Sequence, residues 1–195
     1  MKPILFGSIL GIVSLSALVG GAIAQSVPLT SEMTAMAQAN EPTAAPALAS
    51  GYNRYTSSGQ YSIEFPDGAY LHNNNQGYLI MSNYAPQVGA CCFEAESLKT
   101  DIYVTAIPFE TAKENAVIDD SGMAGELVQQ SVINLNGREA IRTWWINGDN
   151  GSDSVSTIVQ FSETESAYIT SFYATGDRTM DSTIEAIHNS FQALN

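Results

Sequence analysis

The chain has 195 residues, seven of them basic and 20 acidic, for a formal charge of −13. That balance argues against nucleic acid as a partner, because affinity for a phosphate backbone rests on Lys and Arg. It disfavours an anionic membrane surface on the same ground. Negative charge of this size keeps a protein soluble and separate; a basic protein partner or weakly held divalent cations are the sharper readings.

Residues 1–24 read as a signal peptide. Lys2 is the only charge before Glu32, Ile4 to Val19 is apolar apart from Gly and Ser, and Ala22-Ile23-Ala24 supplies small residues before a cut at Gln25. No Cys follows the apolar run, so no lipid anchor is expected. The rival reading is an uncleaved anchor, since about 20 apolar residues span a bilayer; the small-residue site favours cleavage. The expected address is the periplasm, a thylakoid lumen or the extracellular space.

Residues 25–54 form a tether rich in Ala, Pro, Ser and Thr, with too little apolar surface to offset the entropy of ordering it. A single domain over 55–195 follows, its first ordered residue falling between Gly51 and Tyr61. Tyr61, Ile63 and Phe65 alternate with polar residues and predict a strand ended by Pro66-Asp67-Gly68. Tyr78 to Met81 predicts a short buried strand, and Leu98 to Pro108 a longer alternating one. Between Glu110 and Gln130 the pattern turns helical: Thr111 to Val117 is helix-prone, and Met123, Leu127 and Val128 suggest a second piece beyond a break at Asp119 to Gly122.

Asn136-Gly137, between Val132–Leu135 and Arg138–Ile146, is a hairpin signal because both turn positions need positive φ. Strands over Ser154–Phe161 and Ala167–Tyr173 complete a four-strand antiparallel meander. A final helix over Arg178–Ala193 carries the stripe Met180, Ile184, Ile187 and Phe191, which must lie on the sheet. The fold class is α+β: a central, mostly antiparallel sheet flanked by helices.

The two cysteines, Cys91 and Cys92, are neighbours. Adjacent Cα atoms lie about 3.8 Å apart, short of the usual disulfide span of about 4.4–6.8 Å. Two free thiols, a strained and redox-sensitive ring, a bridge to another chain, or no role at all remain open. Asp149 and Asp153 bracket a Gly-rich turn and are weak candidates for Ca²⁺, although a turn using Asp, Asn and Gly for backbone reasons is the simpler account.

Catalysis by a nucleophile needs a base within reach. His72 precedes a polar turn, and His188 sits on the last helix as a solvated or half-packed residue. No nucleophile elbow, zinc helix, phosphate loop or dinucleotide fingerprint occurs. No catalytic residue and no cofactor is assigned, and the chain reads as a non-enzyme. Trp144-Trp145 on the hairpin strand is expected to put one ring in the core and the other outside or under a helix.

The segments YSIEFPDGAY (61–70), GYLIMSNYAP (77–86), LKTDIYVTAIP (98–108), INLNGREAIRTWW (133–145) and IHNSFQ (187–192) follow in an order that resembles the PsbP-like superfamily. The resemblance implies an α/β/α sandwich and a binding or assembly role without catalysis. Members dock on the lumenal face of photosystem II and help retain its Ca²⁺ and Cl⁻, so the resemblance implies a protein partner and peripheral association with a membrane complex. Strong acidity and adjacent cysteines depart from that subunit's pattern. They point to an exported PsbP-like relative in a cyanobacterium or another bacterium.

Overall fold

The computed structural model describes residue 48 and residues 50–58, 60–73, 78–85, 93–117, 125–148 and 151–194. The signal peptide, most of the tether, Cys91, Cys92 and Asp149 lie outside the described residues.

Strand β1 (Tyr52–Ser57) opens the described domain, so the tether boundary drawn at residue 54 falls inside a strand. The cause is pairing: Tyr52 to Ser57 match Pro66 to Tyr61 of β2 (Tyr61–Pro66) in a continuous antiparallel ladder. Next come β3 (Tyr70–Asn73), β4 (Leu79–Ser82) and β5 (Leu98–Thr105). Helix α1 (Phe109–Asn115) follows, with Pro108 at its N-cap, Glu110 in its first turn and Lys113 in its last.

The second helical piece expected near residue 123 is replaced from residue 126 on by β6 (Glu126–Leu135). Leu127 and Val128 share helical spacing with Met123, yet the hairpin ladder carries pairing with β7 (Arg138–Gly148) as far as Glu126 opposite Ile146. Tertiary pairing overrides the local pattern, at the cost of a bulge between Leu127 and Gln129. Gly125 marks the entry. Its φ is +92°, and a Cβ there would sit 2.1 Å from the Ile146 carbonyl oxygen, so only glycine fits. At the hairpin tip, Asn136 and Gly137 have φ of 51° and 87°, as the turn requires.

Strands β8 (Ser152–Gln160) and β9 (Ser166–Ala174) complete the meander. Helix α2 (Asp181–Asn189) is shorter at both ends than the 178–193 expected. Asp177 takes the Thr179 amide and hydroxyl before the helix begins. After it, β10 (Gln192–Ala193) is drawn off to pair with β2. Asn136 Nδ2 donates to the Phe191 carbonyl at 2.7 Å, bracing the exit from the helix.

The strands form a seven-stranded antiparallel sheet, ordered β3-β4-β5-β9-β8-β7-β6, and a small sheet, β1-β2-β10. Register places Ala140, Arg142 and Trp144 on one face of the large sheet, with Ile141, Thr143 and Trp145 on the other. On the first face, Leu79, Met81, Ile102 and Ile169 form one core with Ile63 of β2 and with Ile184 and Ile187 of α2. On the second, Phe109 and Ala112 of α1 cover Ile141 and Ile158. The fold is a β-rich α+β domain. The helix-flanked sandwich is realised in part: one outer layer is a small sheet plus one helix, the other a single seven-residue helix. Among the described residues no helix is long and apolar enough to cross a membrane.

Candidate functional site

His188 departs most from its expected place: it is fully buried, neither solvated nor half-packed. The α2 stripe explains this, because Ile184, Ile187 and His188 all turn inward when the helix beds on the sheet. Its ring joins two strands. Nδ1 lies 2.8 Å from Thr157 Oγ1 on β8, and Nε2 lies 2.9 Å from Ser171 Oγ on β9. Thr157 accepts from Arg142 Nε at 2.8 Å, and Ser171 meets Thr100 Oγ1 on β5 at 2.7 Å. Arg142 also donates through Nη2 to Asn189 Oδ1 at 2.8 Å. A hydrogen-bonded chain thus crosses the core from Arg142 to Thr100, and Thr100, Thr157, Ser171 and His188 have no solvent exposure.

Burial, reinforced by the Arg142 charge, pushes the His188 pKa down to about 3, so the imidazole is neutral at ordinary pH. Burial also lowers the pKa of Arg142, against the pull of Glu185. A serine and a histidine at 2.9 Å have the outline of a nucleophile and its base. Enclosed on every side, this pair is available to no substrate and reads as a satisfied polar core.

Beside Thr100 lies a cleft of about 170 Å³ between α2 and the sheet. Met81, Leu98, Thr100 and Ile187 form its inner wall, and Pro66, Ala69, Asn83, Met180 and Thr183 border it. Among the described residues no charged side chain lines it.

The other sequence candidates among the described residues lie outside this chain of hydrogen bonds. His72 is on β3, exposed. Asp153 is buried, with Oδ1 accepting the Asn147 amide at 3.0 Å and Oδ2 the Gly176 amide at 2.9 Å. Its carboxylate therefore ties Asn147, near the end of β7, to the chain just past β9. Among the described residues, no three His, Cys, Asp or Glu side chains gather as a metal site would require. Trp145 is the buried member of the tryptophan pair, with Nε1 donating to Thr143 Oγ1 at 3.2 Å, while Trp144 is half-buried against the α2-side core.

Sequence reading missed the buried chain altogether. Its only signal was polar residues at inward positions: Thr100, Thr157 and Ser171 share a strand face with Ile102, Val155 and Ile169.

With this geometry in view, comparison with known proteins adds the fold. No protein-family profile matches the sequence, and no curated protein does either. Among solved structures, cyanobacterial PsbP (CyanoP) from Synechocystis sp. PCC 6803 superposes with a TM-score of 0.52 at 11% identity. The match covers 74% of this chain and 94% of that one. The two share a PsbP-like fold. A protein from Bacteroides thetaiotaomicron matches at a TM-score of 0.48 and 12% identity, over 74% of this chain and 49% of its own. PA94 of Pseudomonas aeruginosa, a protein of unknown function, matches at 0.39 and 18%, over 65% and 85%.

Proposed function

We propose that this chain is an exported, non-catalytic binding or assembly factor of the PsbP-like kind, acting on a protein partner at a membrane complex such as photosystem II. The observation that carries the reading is the enclosure of Ser171 and His188: the one nucleophile–base outline among the described residues is sealed and spent on holding α2 to the sheet. The shared fold with cyanobacterial PsbP supports it, and the signal-peptide pattern of residues 1–24 supports export.

The test is cross-linking in intact cells of the source organism, followed by membrane solubilisation and mass spectrometry. The expected result is a mature N-terminus at Gln25 and a reproducible cross-link to one extracytoplasmic membrane complex. A chain that keeps its leader, or a free monomer with no cross-link, overturns the proposal. Two alternative functions leave distinct traces in the same material. Calcium binding at Asp149 and Asp153 gives calorimetric heat at millimolar Ca²⁺. A redox role for Cys91 and Cys92 makes the phenotype under oxidant depend on both thiols.

A further inference from the structure

Among the described residues the two sheets end in four edge strands, and three of them are blunted. β3 closes one side of the large sheet with only four residues. In the small sheet β10 offers two, while β1 carries Arg54 along its length and its Tyr55 hydroxyl accepts from Asn73 Nδ2 of β3. Short strands and charges are how folded proteins keep their edges from pairing. β6 has neither. It is ten residues long, no strand of the described residues pairs with its outer side, and after Glu126 it carries no charge.

Backbone alternation fixes what that edge presents. The Asn136-Gly137 turn closes on Leu135 opposite Arg138, and a two-residue turn makes its flanking pair exchange both hydrogen bonds. Counting back along the ladder, Ile133, Ser131 and Gln129 also aim their amides and carbonyls at β7, whereas Asn134, Val132 and Gln130 aim theirs outward. The side chains of these last three are exposed and share the face of Ile141 and Thr143. Val132, at 65%, is the most exposed large hydrophobic residue among those described. The bulge between Leu127 and Gln129 bends the strand at one end and the turn stops it at the other, so the straight run is 129–135.

That run matches itself. Turned antiparallel about a two-fold axis at Val132, it sets Val132 against Val132 of a second copy, Gln130 against Asn134, Ser131 against Ile133 and Gln129 against Leu135. The three outward residues of each copy then exchange about six main-chain hydrogen bonds. Asn134 Oδ1 already accepts the Gly137 amide at 3.0 Å, which leaves its Nδ2 to donate to the facing Gln130. In a chain of net charge −13, this neutral strip lets two copies meet without setting carboxylate against carboxylate.

We propose that β6 pairs antiparallel with β6 of a second copy about a two-fold axis at Val132, joining two seven-stranded sheets into one continuous sheet. The contact is small. Its edge is about 24 Å long and one sheet, about 10 Å, thick, well below the roughly 800 Å² per partner of a stable complex. The dimer is therefore transient, and it tightens with salt as the mutual repulsion of two acidic chains is screened. This pairing does not depend on the protein partner proposed above.

The experiment is sedimentation equilibrium on the full chain at low and high salt, up to about 1 mM protein, under reductant to remove any bridge through Cys91 or Cys92. A monomer–dimer equilibrium that moves toward dimer with salt is expected. Hydrogen exchange on the same samples should slow with rising concentration at the Gln130, Val132 and Asn134 amides and stay unchanged at Ser131 and Ile133. Val132→Lys and Val132→Glu each set a charge against itself at the axis and should weaken the dimer about tenfold. Mixed in equal amounts the two variants should associate again, a rescue that requires Val132 to face Val132. A monomer under every condition overturns the proposal, as does a dimer that survives both substitutions, a mixture no tighter than its components, or an edge that pairs only with an extended strand of another protein. Should either variant not fold, the parent's exchange pattern decides alone, and slowing confined to residues outside 129–135 overturns the proposal.

Discussion

The two faces of the seven-stranded sheet are built to different rules. On the face toward α2, a second layer of small sheet and helix lies over the strands, and Leu79, Ile102, Ile169 and Ile187 are buried almost without remainder. Thr157, His188, Ser171 and Thr100 are buried there by bonding to one another. The opposite face has α1 over one part, sealing Phe109, Ala112, Ile141 and Ile158. Elsewhere on that face Tyr78, Tyr103 and Tyr168 form a stacked row, with ring centroids 5.5 and 5.0 Å apart. Burial raises the pKa of all three phenols, and Asp101 adds to the shift of Tyr78. Large part-buried rings lying on one another shield the sheet where no helix reaches. The thicker layer holds its buried polar side chains mainly as a connected chain, whereas the thinner one carries amphipathic side chains singly.

Substitutions can break or sharpen that contrast. The largest effect is expected from Phe191→Ala, which removes a ring that is 1% exposed and stacked on Tyr61 at 5.4 Å. A loss of about 3–5 kcal/mol in urea unfolding is expected, and a loss below 1 kcal/mol would mean the α2-side layer is not closed.

The second test is pH. His188 has its folded pKa depressed to about 3 from the ordinary 6.5. Its contribution is therefore intact above pH 6.5 and is lost as pH falls toward 3, by up to about 1.4 kcal/mol per pH unit. Urea midpoints measured at pH 7 and pH 4.5 should diverge less in His188→Gln than in the parent. Parallel losses in the two proteins would assign the acid sensitivity to other groups.

The smallest effect is expected on the thinner face. Phe109→Ala should cost about 3 kcal/mol, at the low end for a buried phenylalanine and less than Phe191→Ala, because its cluster is small and is covered by a single seven-residue helix. Equal costs for the two phenylalanines would erase the distinction between the faces.

Much of this sheet was legible in the sequence because its strands are joined by local signals. Asn136-Gly137 fixes the β6–β7 hairpin, and alternation along 154–161 and 167–173 fixes the next two strands. Short-range signals failed where a distant partner decided the outcome. Leu127 and Val128 have helical spacing, but the Ile146 end of β7 claims them. Gln192 and Ala193 fall at the end of the helix expected over 178–193, yet β2 extracts them as a strand. The candidate site was illegible for the same reason. Thr100, Thr157, Ser171 and His188 come from four elements, and no spacing in the sequence links a threonine on β5 to a histidine on α2. Asp153 was visible as an unusual acid in a polar turn, but only the fold shows both of its oxygens already committed to backbone amides.

The small sheet has a consequence for how the molecule assembles. β2 is the middle strand, flanked by β1 from the start of the domain and β10 from its far end, and Ser190 Oγ meets the Glu64 amide across 126 positions of sequence. The first hairpin of the chain therefore has its second edge covered only by the last element. Contacts of such long range are entropically slow to close, so the layer over the cleft is completed late in folding. A chain cut short after residue 190 would lose β10 and leave one edge of β2 open to pairing with any extended strand it meets.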